Sequence, residues 1–150
     1  MDKIASLLQE LLIDEHTASQ LYATFGAILD NDEIKKLADH FKSESSDEVK
    51  HAQAIRERLL VLGQYPTIGV NAEKVDKDPL EMMSHTKTLE EGAVIKYNKL
   101  YKMAMDEGDS VTARLATEHA ADEEEHREFA KGQLNLSEDI GDAIWLQKWL

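Results

Sequence analysis

Apolar residues recur at intervals of three and four through four long stretches of the chain. In the first, Ile4, Leu7, Leu8, Leu11, Leu12, Ala18, Leu21, Tyr22, Phe25, Ile28 and Leu29 share one helical face, which predicts a helix over about 2–29. Asp30-Asn31-Asp32 offers turn and cap chemistry. Ile34, Leu37, Ala38, Phe41, Ala52, Ile55, Leu59 and Leu62 then repeat the spacing, predicting a second helix to about Gly63. Asp78 as N-cap, with Pro79 at the first helical position, opens a third helix that ends near Gly108. A fourth begins at Asp109-Ser110 and is expected to fade around Gly132. Ser137 is then placed to cap a short fifth helix, over about 137–150, that carries both tryptophans.

Helices one and two, and likewise three and four, are separated by about three residues, so each pair must fold back as an antiparallel hairpin. The segment between the hairpins, about 63–78, reaches roughly 53 Å when extended, whereas a 26-residue helix is about 39 Å long. It can therefore cross the bundle and let helices two and three run parallel. The expected architecture is an all-α four-helix bundle with one long crossover, a single domain over 1–150 with the bundle at about 2–133 and the tail helix at about 137–150.

Charge narrows the possible partners. With 17 Lys+Arg against 30 Asp+Glu, the formal charge of −13 repels nucleic acid and anionic membranes and concentrates cations. The absence of cysteine excludes disulfides, thiolate zinc sites and sulfur-ligated iron. The N-terminus lacks the basic-then-apolar pattern of a secretion signal and no apolar run reaches membrane-spanning length, so a cytoplasmic location is expected.

The apolar stripes are interrupted at matched places. Glu15 breaks the first, Glu48 and His51 the second, Glu90 the third, and Glu123 and His126 the fourth. Isolated carboxylates in a bundle interior would cost several kcal/mol or take up protons unless cations neutralise them. Glu48 and His51 follow Glu15 by 33 and 36 positions; Glu123 and His126 follow Glu90 by the same intervals. A shift of 75 superimposes the halves, carrying Ala18 onto Ala93, Tyr22 onto Tyr97 and Asp47 onto Asp122. Each hairpin thus reads E-x-x-A-x-x-x-Y and then D-E-x-x-H. One Glu from each of two helices, plus a Glu-x-x-His pair from each of the other two, is the ligand pattern of carboxylate-bridged dinuclear sites. Four carboxylates also balance two divalent cations. Glu91 breaks the 33-residue interval and lies off the stripe, so Glu90 is the expected ligand.

On these residues the chain resembles the ferritin-like di-iron superfamily, and within it bacterioferritin, over about residues 4–131. The resemblance implies that Glu48 and Glu123 bridge two irons, that Glu15 and Glu90 are terminal carboxylates, and that His51 and His126 each cap one iron. Tyr22 matches a tyrosine beside the bacterioferritin centre and joins these six as an expected catalytic residue. The implied activity is oxidation of Fe(II) to Fe(III) by O2 or H2O2, for iron storage or detoxification in a hollow homo-oligomeric shell. Manganese is the alternative metal.

Two departures stand out. The haem-ligating methionine that follows the bridging Glu of helix two in bacterioferritin is Val49 here, so haem is not expected through that ligand. Helix four is expected to end about two turns sooner after His126 than in bacterioferritin. Competing readings are a rubrerythrin-like peroxidase, a manganese-catalase-like enzyme or oxygenase using the same centre, and a metal-free helical interaction module. Tyr22 and Tyr97 also read as core aromatics whose hydroxyls reach the ligand carboxylates. His119 reads as a core histidine supporting the site, and His16, His40 and His85 as exposed. Asp122, Glu124, Glu125 and Glu128 read as a wet helix face, Trp145 and Trp149 as cover for an apolar patch.

Overall fold

Each apolar stripe winds into one long helix. The computed structural model describes residues 2–150 and contains α1 (Lys3–Asn31), α2 (Lys35–Val61), α3 (Pro79–Asp106), α4 (Ser110–Ile140) and the short α5 (Asp142–Gln147). No helix among the described residues is long and apolar enough to cross a membrane. The caps follow local chemistry. Asp2 accepts the Ile4 N–H at 2.9 Å and Asp109 accepts the Thr112 N–H at 3.0 Å, satisfying donors that a helix start leaves free. Pro79 opens α3, where its missing N–H costs nothing. The cap expected for α2 from Asp30-Asn31-Asp32 does not form: Ile34 precedes α2 without a side-chain bond, while Asp30 pairs with the Lys42 ammonium.

Helix pairing runs α1–α2, α3–α4, α1–α3 and α2–α4. Ser45 bonds to Ser19 and His51 to Glu15, Lys96 to Asp14 and Glu90 to Tyr22, His126 to Asp47 and Asp122 to His51, so α1 is antiparallel to both α2 and α3, and α4 antiparallel to α2. Helices α2 and α3 therefore run parallel, as the crossover length allows. That crossover is strapped along α1: Gln9 donates to the Tyr65 carbonyl and accepts the Thr67 N–H, each at 2.8 Å, and the Thr17 hydroxyl accepts the Asn71 N–H at 2.8 Å.

The expected end of α4 at Gly132 is corrected. The helix continues to Ile140 and turns at Gly141, whose φ of 86° needs a residue without Cβ. A mid-helix glycine costs only about 1 kcal/mol, and Leu134, Leu136 and Ile140 recover more by packing against the tail. Ser137 lies buried inside α4, its hydroxyl donating to the Leu134 carbonyl at 2.8 Å, and caps nothing. The tail folds back on the bundle. Trp145 and Trp149 both donate indole N–H bonds to Gln133 Oε1, at 2.9 and 3.3 Å, and the Trp149 carbonyl accepts the Lys36 N–H at 3.1 Å.

Two apolar cores result. One gathers Leu8, Leu11, Leu12, Ile55, Leu59, Leu100 and Ala116; the other gathers Phe25, Leu29, Leu37, Phe41, Met82, Met83 and Trp145. A polar layer lies between them.

Candidate metal centre

The layer between the cores is built by the six residues at the interruptions of the stripes. Glu15, Glu48, His51, Glu90, Glu123 and His126 are all at least nine-tenths buried. They form two overlapping groups. Glu15, Glu48, His51 and Glu123 present ligand atoms within 4.8 Å of one another, and so do Glu48, Glu90, Glu123 and His126. Glu48 and Glu123 belong to both. Glu90 is buried in the second group, while Glu91 is exposed and pairs loosely with Lys87.

The donors are poorly satisfied by protein alone. Both oxygens of Glu48, Oε2 of Glu90, Oε1 of Glu123 and Nδ1 of His126 are buried with no hydrogen-bond partner. Such orphaned atoms are costly in a protein interior, and cations placed among them would complete their bonding. The donor set therefore fits divalent metal ions with nitrogen and oxygen ligands.

The imidazoles face the cluster with Nδ1 and turn Nε2 outward. His51 Nε2 meets Asp122 at 2.8 Å, and His126 Nε2 meets Asp47 at 3.1 Å. A carboxylate on the far nitrogen fixes the ring and leaves Nδ1 free to ligate. Asp47 and Asp122, which the repeat paired in the sequence, thus have matching partners across α2 and α4. Asp122 was expected on a wet helix face, and its exposed side chain also holds His51.

Repulsion within the cluster appears in its proton affinities. Burial pushes the Glu48 carboxyl well above its ordinary range, and Glu15, Glu123 and Glu90 push it further. Glu123 moves the same way, through burial and then Glu15 and Glu90. Burial opposes a charge on His51, yet the close Glu123 and Glu15 carboxylates overcome it and push the imidazole up to about 11. His126 reaches about 10 in the same way, burial being outweighed by nearby Glu90, Glu44 and Glu123. Without metal the carboxylates borrow protons as their counter-ions.

Tyr22 and Tyr97 sit on opposite sides of the layer and are fully buried. The Tyr22 hydroxyl donates to Glu90 Oε1. Burial and then the nearest carboxylates, Glu90 for Tyr22 and Glu15 for Tyr97, raise both phenols well above their usual value, so both remain protonated donors. His119 is buried as expected, stacked on His51 at 4.0 Å and bonded through Nδ1 to the Tyr97 hydroxyl at 3.1 Å. Burial, and then the neighbouring His51, push it down to about 3, so it stays neutral.

The other histidines were expected to be exposed, and this is corrected. His85 lies between Asp76 and Glu73 at 2.6 and 3.2 Å, His16 accepts from Arg56 at 2.6 Å, and His40 stacks on Phe129 at 3.8 Å. All three are half-buried because crossover, α2 and α4 groups fold over them. One residue the sequence reading missed is Glu44, which is 3% exposed. Its signal was present: it continues the Phe41–Glu48 spacing one turn before the bridging position.

A cavity of about 210 Å³ lies against the layer between α1, α3 and the crossover. Glu15, Glu48, Glu90 and Glu123 form its floor, and Asp14 and Lys96, 2.6 Å apart, stand beside it.

Comparison with known proteins agrees with this architecture. Residues 5–140 match the ferritin family, described as a ferritin-like domain. The chain is 29% identical over 140 residues to a bacterioferritin of Mycolicibacterium paratuberculosis, covering 93% of this chain and 88% of that protein. It is 27% identical over 145 residues to a bacterioferritin of Streptomyces coelicolor, covering 96% and 87%. With a bacterioferritin of Desulfovibrio desulfuricans the identity is 26% over 141 residues, covering 93% and 79%. A family match that spans all four long helices, on a helical bundle with a buried carboxylate–histidine layer, establishes that the chain belongs to the ferritin-like family.

Proposed function

We propose that this protein is a ferroxidase of the bacterioferritin type, oxidising Fe(II) with O2 or H2O2 and serving iron storage or detoxification in a hollow homo-oligomeric shell. The observation that carries this reading is the pair of four-ligand groups sharing Glu48 and Glu123. Glu48 and Glu123, common to both groups, would hold both ions, with Glu15 and His51 completing one set of ligands and Glu90 and His126 the other. The whole chain acts as one ferritin-like domain in the cytoplasm, with its tail docked on the bundle. Val49 offers no haem ligand, so the reading includes no haem at that position.

Two ferrous ions held here supply one electron each, which with two protons reduce O2 to H2O2, or H2O2 to two waters. The residues supply the rest. The carboxylates favour the harder Fe(III) product through oxygen ligation. Asp122 and Asp47 keep His51 and His126 pointing inward. Tyr22 holds Glu90 by donating to one of its oxygens, leaving the other for the ion. The cavity between α1 and α3 is the entry for the small reactants, and its acidic floor attracts cations.

The test is particle mass measured together with iron per chain after aerobic loading with Fe(II). A large particle holding far more than two irons per chain is expected. About two irons per chain in a small oligomer would refute storage and favour a rubrerythrin-like or manganese-catalase-like enzyme. No bound iron would leave the metal-free interaction module.

A further inference from the structure

We propose that His40 and Glu44 hold a third divalent cation, on the α2–α4 side of the dinuclear layer. The two residues stand one turn apart on α2, on the same face. Glu44 is 3% exposed, and neither of its oxygens has a hydrogen-bond partner. His40 Nε2 is also buried and unpartnered; it lies 3.3 Å from Glu44 Oε1 but is not aligned for a hydrogen bond. An ion about 2.1 Å from each atom would see that edge at roughly 100°, within the range of octahedral and tetrahedral shells. The ring is held in place by Phe129, stacked against it at 3.8 Å.

One imidazole and one carboxylate suit a first-row divalent ion such as Fe(II), Mn(II), Co(II) or Zn(II). The position adjoins the dinuclear layer, because Glu44 Oε2 lies 4.0 Å from His126 Nε2. It also has no counterpart across the pseudo-twofold. The shift of 75 carries His40 onto Leu115 and Glu44 onto His119, whose Nδ1 is already bonded to Tyr97. The structure thus offers an extra cation site on the His126 side alone. If the ferroxidase reading holds, on which this last step rests, an ion leaving the Glu90–His126 position has its next ligands one helical turn away.

The experiment is anaerobic Co(II) titration of the full chain, with ions counted by calorimetry and visible absorption, and anomalous diffraction from Co(II)-soaked crystals. Wild type is expected to show three ordered ions per chain. Glu44→Gln and His40→Phe are each expected to lose only the third, with helicity unchanged by circular dichroism. Glu48→Gln is expected to lose the pair while retaining the ion at His40 and Glu44. Two ordered ions in wild type, both in the dinuclear layer, would overturn the proposal, as would a third ion that persists in both the Glu44→Gln and His40→Phe variants. Wild type with an ion at His40 and Glu44 but none between Glu48 and Glu123 would sustain this site and refute the dinuclear one.

Discussion

The two hairpins, α1–α2 and α3–α4, are the same device at the centre and different devices at the edges. At the centre, Glu15, Glu48 and His51 answer Glu90, Glu123 and His126, and Asp122 and Asp47 hold the two imidazoles in the same way. Even the turns agree: the Leu29 carbonyl accepts from Ile34 and the Ala104 carbonyl from Asp109, both at 2.8 Å. Away from the layer the equivalence fails. The left-handed turn residue is Gly108 in one half and Glu33 in the other, with φ of 74° and 65°. The helix that follows is capped by Asp109 in one half and by no side chain in the other. Arg58 reaches Asp109 and Thr112 at one end of the bundle, whereas its counterpart Gln133 receives both tryptophans at the other. Bringing two matched sets of carboxylates and an imidazole into one layer demands like geometry from each half; closing the ends of a bundle does not.

The largest effect is expected at the shared centre. Glu48→Ala or Glu123→Ala should slow rapid Fe(II) oxidation by about 100-fold or more in stopped-flow measurements, with the bundle still helical by circular dichroism. Equal losses from both halves would uphold the equivalence, and rapid turnover in either variant would break it.

Proton linkage comes next. In metal-free protein the surrounding carboxylates push His51 and His126 up to about 11 and 10 from an ordinary 6.5, and burial raises Glu48 and Glu123 above 4.5. The folded state therefore binds more protons than the unfolded chain, and stability falls as pH rises above these ordinary values and through the raised ones. His119, held down to about 3, acts oppositely: the unfolded chain takes a proton the fold refuses, so stability also falls between pH 6.5 and 3. Thermal melts in chelator should peak between about pH 4.5 and 6.5. Divalent metal, which displaces those protons, should bind more tightly as pH rises. Melting temperatures that stay level from pH 7 to 9 would mean the cluster does not hold the extra protons.

Smaller effects belong to the edges. Gln133→Ala removes the acceptor shared by Trp145 and Trp149 and should cost about 2 kcal/mol in chemical denaturation, with a red shift of tryptophan emission. An unchanged midpoint would show that the tail adds nothing to the bundle. Glu33→Gly gives the first turn the residue its counterpart already has and should stabilise by about 1 kcal/mol; a loss of stability would mean that Glu33 has a compensating role.

Periodicity alone was enough to read four helices, two hairpins and a crossover, because burying one face of a helix forces apolar residues into a three-and-four rhythm whatever their identity. The six residues of the layer were legible for a related reason: charge inside an apolar stripe is expensive, and the same interruption spaced alike in both halves has few explanations. The end of α4 was misread at Gly132, since a local helix-breaking signal worth about 1 kcal/mol says nothing of the tail packing that outweighs it. His16, His40 and His85 were misplaced likewise, their partners lying on segments distant in sequence. Glu44 has no twin in the other half, where His119 takes its place, so the repeat does not mark it. The sequence by itself determined which faces turn inward and which charges go with them, because those follow from the helical period and the cost of burial. Only the tertiary structure decided how the ends close, which histidines are covered and that Glu44 meets His40 beside His126, because each depends on contacts between helices that the spacing within one helix does not encode.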